Sequence, residues 1–297
     1  MTLKRLRPGD RIALVAPSSP FQQDKFTAAC DSLTRKGYLT VPGSRLYDGV
    51  RYLAAPDAER AKDLIQAIRD PSISAIFCIR GGYGSGRLLP LLPFSSLQKS
   101  HKILLGYSDV TFLHLAFSSR ELCPTFHGPN FIEMAEDDNL MESVLSTLSG
   151  SQDFCWSLDD SQILKPGVAK GRLVGGNLSC LVHLLGTQYL PDLNGAILML
   201  EDRGEALYRL DRMITHMGLS GILDGLAGLV LGQFTECGEQ QDIWDMILEH
   251  VKTFQFPVVG NLPFGHTRNN QIIPLGVMHA LNTHEQTFMT LQSPFNE

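Results

Sequence analysis

The first half of the chain alternates strand-like and helix-like segments, and this alternation limits the possible folds more than any other feature. Residues 12–16 form a short apolar run, and after a Pro/Ser loop residues 21–36 carry a helical pattern that Gly37 closes. Residues 57–69 place Ala61, Leu64, Ile65 and Ile68 on one stripe and end at Asp70-Pro71, after which residues 74–79 are again apolar and β-rich. Two further runs, 103–107 and 124–126, each follow a helical stretch. Strand, helix, strand in this order predicts a βαβ arrangement. The expected fold class is α/β, with an N-terminal mostly parallel sheet flanked by helices. Ligands of such sheets sit beyond the carboxyl ends of the strands.

Between about residues 150 and 171 the periodicity fades into Ser151-Gln152-Asp153, Asp159-Asp160-Ser161 and Lys165-Pro166-Gly167. The 297 residues therefore divide into an expected α/β domain at 1–150, a linker at 151–170 and a smaller β-rich α+β domain at 171–297. In the last of these, strand-like runs at 196–200, 226–231 and 258–259 are separated by many glycines, with a helical segment at about 205–217.

A hydrophobic fraction of 43% with 19% charged residues is that of an ordinary globular protein. The net charge of −6, with no dense basic block beyond Lys4, Arg5 and Arg7, repels phosphate backbones, so nucleic acid is not an expected partner. Six scattered cysteines show no C-x-x-C pattern and no zinc-type spacing, and read as reduced, mostly buried thiols. After the basic start, the apolar run at 12–16 is too short for a signal peptide and is framed by Asp10 and Pro17, and no apolar stretch reaches membrane-spanning length. A cytoplasmic protein without membrane contact is expected.

The chemistry concentrates at apolar strand exits. The run Leu104-Leu105-Gly106-Tyr107 breaks at Ser108-Asp109 and resumes as an amphipathic segment with Val110, Leu113, His114 and Phe117 on one face. A strand ending at Tyr107 and a helix starting near Val110 force Ser108 into a tight corner with its hydroxyl exposed, the position acyl transfer requires of a nucleophile. Asp109 falls in the first helical turn, where the dipole favours an acid; helix capping by Ser108-Asp109 is the simpler alternative. A serine nucleophile needs a base and an orienting acid. Of nine histidines, His266 ends Asn261-Leu262-Pro263-Phe264-Gly265 at a strand exit, and His127 follows the short run at 124–126 in the same half as Ser108, so both compete for the base. Glu201 and Asp202 leave the strand at 196–200 and serve equally as an acid or as caps for the next helix. The loop Gly81-Gly82-Tyr83-Gly84-Ser85-Gly86 matches neither phosphate-binding glycine pattern, but its amides suit an oxyanion hole shared with the amide of Asp109. Arg80, with Gly81 and Tyr83 beside it, is a candidate substrate contact.

Taken together, Ile79-Arg80-Gly81-Gly82-Tyr83-Gly84, Gly106-Tyr107-Ser108-Asp109, Gly175-Gly176-Asn177-Leu178, Leu200-Glu201-Asp202 and Asn261-Leu262-Pro263-Phe264-Gly265-His266 closely resemble the LD-carboxypeptidase family of serine peptidases, which includes the microcin-immunity enzymes. Arg7-Pro8-Gly9-Asp10 and Val15-Ala16-Pro17-Ser18-Ser19 match as well, so the likeness spans nearly the whole chain. The resemblance implies Ser108 as nucleophile, Glu201 as acid and His266, rather than His127, as base, with oxyanion amides from Asp109 and Gly82. The elbow differs from that of α/β-hydrolases, because Val110 stands where they carry a glycine. The implied protein is a cytoplasmic homodimer of murein recycling, without metal or organic cofactor. Its implied substrate is a murein tetrapeptide, cut between the L-centre of meso-diaminopimelate and a terminal D-alanine. The rival readings are an amidase that inactivates a peptidyl-nucleotide antibiotic and a non-catalytic nucleotide- or peptide-binding module.

Overall fold

Residues 2–97, 101–150 and 153–296 are described by the computed structural model. The first half runs β1 (Arg11–Val15), α1 (Gln23–Arg35), β2 (Leu39–Pro42), α2 (Asp57–Arg69), β3 (Ile73–Cys78), α3 (Phe94–Leu97), β4 (Ile103–Gly106), α4 (Thr111–Ser119), β5 (Thr125–His127), α5 (Phe131–Met134) and α6 (Asp138–Leu148). The second half runs β6 (Cys155–Ser157), β7 (Ile163–Lys165), β8 (Val168–Asn177), α7 (Leu178–Val182), β9 (Ile197–Arg203), α8 (Leu207–Leu219), β10 (Gly228–Thr235), α9 (Gln240–Val251), β11 (Val258–Val259), β12 (Ile273–Leu275), β13 (Met278–Asn282) and β14 (Thr287–Thr290).

The α/β class holds, and the N-terminal sheet is parallel apart from one edge. Its order is β12-β5-β4-β3-β1-β2, with β12, contributed by the second half, running antiparallel to β5. The second sheet has the order β6-β14-β13-β8-β9-β10-β11-β7, and its central β8-β9-β10-β11 block is parallel.

Period-two side-chain alternation explains why these runs are apolar throughout. On β1, Ile12 and Leu14 enter a core with α1, α5 and α6, while Ala13 and Val15 enter the core on the opposite face. On β9, Leu198 and Leu200 join that same opposite core, whereas Ile197 and Met199 face a third cluster closed by Phe264 and Phe288. The two sheets therefore share one continuous core. Leu113, Leu115 and Phe117 of α4 pack in it with Val174 of β8 and Leu178 and Leu181 of α7. Burying each such side chain contributes about 1.5–3 kcal/mol, which holds the serine turn before α4 against the second half.

The stretch expected to be a bare connection contributes β6, β7 and the start of β8, while Ser151 and Gln152 of that stretch lie outside the described residues. The strands β6 and β7 pair at sheet edges and are at most half-buried, so neither carries the apolar alternation by which a strand is recognised. All six cysteines are free, but only Cys78 and Cys237 are buried and Cys155 is exposed. Among the described residues no helix is long and apolar enough to cross a membrane.

Candidate active site

Ser108 stands just past the carboxyl end of β4. The chain leaves the buried strand through an extended Tyr107, turns through a one-turn 3₁₀ segment at Ser108–Val110 and enters α4. Ser108 itself has φ +63°, in the left-handed region that a side chain occupies at a cost on the order of 1–3 kcal/mol. Ser108 lines a cavity at that corner.

The glycine loop after β3 lies directly against this corner. A Cβ on Gly81 would stand 2.9 Å from Ser108 Cβ and 3.1 Å from its Oγ, so no side chain fits there. The loop is clamped from beneath by the Asp109 carboxylate, which is almost fully buried and accepts from Gly84 N at 3.2 Å, Ser85 N at 2.7 Å and the Ser18 hydroxyl. The buried Arg60 guanidinium adds bonds to the carbonyls of Gly84, Pro17 and Ala55. Beyond serving its first helical turn, Asp109 thus fixes the loop that carries Gly82. Among the described residues neither the amide of Gly82 nor that of Asp109 has an acceptor, and both residues line the same cavity as Ser108.

Glu201 and His266 arrive from the second half. Glu201 lies near the end of β9, wholly buried, beside Asn177 of β8. His266 sits on the loop after β11, held by Thr235 Oγ1 donating to its carbonyl and by Asn270 accepting from Gly265 N. His266 Nε2 is 3.2 Å from Ser108 Oγ, and its Nδ1 is 2.7 Å from Glu201 Oε2. The same carboxylate oxygen accepts from His266 N at 3.3 Å. Hydroxyl, imidazole and carboxylate thus form one connected chain.

Burial works to depress the His266 imidazole, but the bond and charge of Glu201, with Glu133 and Asp202 behind, outweigh it and raise His266 above its ordinary value. Burial likewise works to raise the Glu201 carboxyl, and the two histidines His127 and His266 more than offset it, holding the group at about 2. The Tyr107 ring packs on the His266 ring with centroids 4.8 Å apart, and its hydroxyl donates to Glu133 Oε1 at 2.9 Å.

The other acid at this strand end has a different task. Asp202 accepts from Asn177 Nδ2 and from both the amide and the hydroxyl of Ser179, tying β9 to the start of α7. The competing histidine, His127, is fully buried behind Glu201 with its Nε2 4.0 Å from Oε1, and it does not line the cavity. Arg80 is exposed, donates to the carbonyl of Pro20 at 2.6 Å and does not reach the cavity. Tyr83 does line it, half exposed and edge-on to Tyr52. The guanidinium at the cavity is that of Arg203, paired with Glu236 at 2.8 Å. Sequence reasoning gave no role to Arg203, named Tyr107 and Asn177 only inside the resembling motifs, and did not foresee the clamp by Asp109; the adjacency of Arg203 to Glu201 and Asp202 was its one signal.

The cavity measures about 450 Å³. Glu205, Glu236 and Arg203 line it with His266, Arg203 and Glu236 forming an ion pair, while the carboxylates of the lining residues Asp109 and Asp202 are buried and committed to hydrogen bonds.

Residues 12–128 match the LD-carboxypeptidase N-terminal domain and residues 170–281 the LD-carboxypeptidase C-terminal domain. The chain is 34% identical to a probable murein peptide carboxypeptidase of Bacillus subtilis, with 96% of this chain and 92% of that protein covered. It is 33% identical to the murein tetrapeptide carboxypeptidase of Pseudomonas aeruginosa, covering 90% and 91%, and 27% identical to the microcin C7 self-immunity protein MccF of Escherichia coli, covering 93% and 92%. Among solved structures, the muramoyltetrapeptide carboxypeptidase of Oxalobacter formigenes superposes with a TM-score of 0.83 at 30% identity, covering 94% of this chain and 97% of that one. MccF in complex with glutamyl sulfamoyl guanosine shares the fold, with a TM-score of 0.90 at 24% identity and 99% of each chain covered.

Proposed function

Since this chain belongs to the LD-carboxypeptidase family, we propose that it is a serine-type carboxypeptidase that removes the terminal D-alanine from murein tetrapeptides through an acyl-enzyme on Ser108. The supporting observation is the Ser108–His266–Glu201 chain, with steps of 3.2 and 2.7 Å.

In this reading Ser108 Oγ attacks the last peptide carbonyl while His266 Nε2 takes its proton. Glu201 holds the Nδ1–H tautomer and stabilises the imidazolium that forms. The amides of Gly82 and Asp109 receive the oxyanion of the tetrahedral intermediate; they are fixed in advance by the Asp109 carboxylate, so no reorganisation is needed as charge develops. His266 then returns the proton to the leaving amine of D-alanine, and water, deprotonated by the same imidazole, clears the ester. The protein's own side chains complete this cycle. A cytoplasmic homodimer is part of the same reading.

Glu205 at the cavity offers a carboxylate to a free ammonium such as that of the diaminopimelate side chain, and Arg203 offers a guanidinium to a terminal carboxylate. Incubating purified wild type and Ser108→Ala with a murein tetrapeptide and with an aminoacyl sulfamoyl nucleoside, followed by mass-spectrometric product identification, tests the assignment. D-Alanine release by wild type alone is expected; near-wild-type release by Ser108→Ala refutes it.

A further inference from the structure

We propose that His127 is a positioning residue for the Glu201 carboxylate, donating its Nε2–H to the oxygen that His266 leaves free, so that the working carboxylate is held between two imidazoles. This inference rests on the reading of Ser108, His266 and Glu201 given above.

The two oxygens of Glu201 are treated unequally. Oε2 receives both donors of His266, whereas Oε1 is fully shielded and has no hydrogen-bond partner among the described residues. His127 presents the complementary deficit, being wholly buried with neither ring nitrogen partnered among the described residues. Its Nε2 faces Oε1 at 4.0 Å. A buried donor and a buried, charged acceptor that both lack a partner each carry the full cost of desolvation. An approach of roughly 1 Å brings the pair to hydrogen-bond distance and removes both.

Near the ring, His114 Nδ1 is also without a partner among the described residues, but it is a neutral acceptor where Glu201 Oε1 is a charged one. Tyr107 and Phe264 meet it edge-on at 5.7 and 6.2 Å, and the His114 ring, 6.5 Å away, has its Nε2 engaged with the carbonyl of Gly106. The backbone of His127 is fixed on both sides, in register with Gly106 on β4 and Ile273 on β12. The imidazole thus faces Glu201 from a backbone that the sheet holds in place.

Two consequences follow for the reaction. A neutral imidazole has one N–H, so this contact fixes the Nε2–H tautomer of His127. A carboxylate anchored through both oxygens also keeps Oε2 in line with His266 Nδ1 as the imidazolium forms and decays. The titratable groups facing His127 are Glu201, His266 beyond it, His114 and Tyr107, whose hydroxyl is committed to Glu133. The depressed Glu201 carboxyl, held down in part by His127, accords with this arrangement.

The test uses full-length His127→Leu and His127→Gln, with Ser108→Ala as the control for the reading itself, and measures kcat and KM for a murein tetrapeptide across pH. Leucine removes the donor at similar volume, whereas the glutamine amide reaches the position of Nε2. His127→Leu is expected to lower kcat about 10- to 100-fold with KM changed less than about twofold. It is also expected to move the acid limb of kcat/KM upward, since a carboxylate relieved of one donor pulls harder on the His266 proton. His127→Gln is expected to recover most of both. Wild-type kcat and acid limb in His127→Leu, or equal impairment of both variants with an unmoved acid limb, overturns the inference. If His127→Leu does not fold, the ¹⁵N ring shifts of His127 in the wild type decide: an Nε2–H tautomer supports the proposal and an Nδ1–H tautomer overturns it. Activity surviving in Ser108→Ala would instead remove the triad reading, and with it the ground for this one.

Discussion

Glu201 lies where a side chain at position 265 would be. A Cβ on Gly265 would stand 2.7 Å from Glu201 Oε2 and 2.8 Å from its Cβ, and the backbone there has φ +100°. The residue before His266 therefore forgoes a side chain so that the carboxylate can reach the imidazole from below.

Gly265→Ala is accordingly expected to displace Glu201 and to strain the loop. The expected loss is about 1–3 kcal/mol of stability and at least ~10-fold in kcat. Urea titration and D-alanine release on the same preparation check both.

Ser108 combines strain with a reactive role, and the two separate on substitution. Ser108→Gly relieves the positive φ and is expected to stabilise the fold on the order of 1 kcal/mol. The same variant, like Ser108→Ala and His266→Ala, is expected to lose several orders of magnitude in rate. A thermal melt beside an activity assay would show a higher Tm in an inactive protein.

The pH dependence follows from the sign of the His266 shift. The base works only when neutral, and Glu201 raises its affinity for a proton, so kcat/KM is expected to fall on the acid side with an apparent pKa above the ordinary 6.5. Glu201→Gln removes that charge and is expected to move the acid limb downward while lowering kcat. Stability runs the opposite way: the His266–Glu201 contribution through the imidazole is complete below its unfolded value and is lost as pH rises through the raised folded value. For Glu201 the contribution is present above its unfolded value of 4.5 and is lost as pH falls toward about 2.

Asp109→Asn replaces an acceptor of three hydrogen bonds by a group whose NH₂ faces a donor. With a buried backbone amide or the Ser18 hydroxyl left unpaired, a loss of about 1–3 kcal/mol is expected. The Gly82 loop loosens with it, so kcat is expected to drop more than KM changes, which steady-state kinetics would register.

The two arginines near the site are expected to behave differently. Arg80→Ala, which removes an exposed guanidinium bonded to a carbonyl outside the cavity, is expected to leave kcat/KM within about twofold. Arg203→Ala removes the guanidinium of the cavity wall and is expected to raise KM for a peptide ending in a free carboxylate.

Much of the fold was legible because strands buried on both faces leave uninterrupted apolar runs. The helix at Asp57–Arg69 has the bounds its stripe suggested, and β1, β3, β4 and β9 lie within a few residues of their runs. Ser108, Glu201 and His266 were nameable from the residues alone only as members of wider sets, since strand exits also carry caps and surface charges. The contrast between Glu201 and Asp202 depends on which way each side chain leaves β9, where neighbouring positions point in opposite directions, and that between His266 and His127 on how a loop and a strand from different halves meet in space. Arg80 illustrates the same limit, because its position at a strand end was readable and its outward turn was not. The clamp from Asp109 to Gly84 and Ser85 joins segments about two dozen positions apart through a buried carboxylate, and a local pattern reads that acid only as a helix-start residue.

The edge strand Ile273–Leu275, lent by the C-terminal half to the sheet that carries Ser108, has a practical consequence for protein engineering. A chimaera joined near residue 150 takes one border of its nucleophile sheet from the other parent, so shuffled libraries built at that junction will favour parents whose β5 and β12 sequences evolved as a pair.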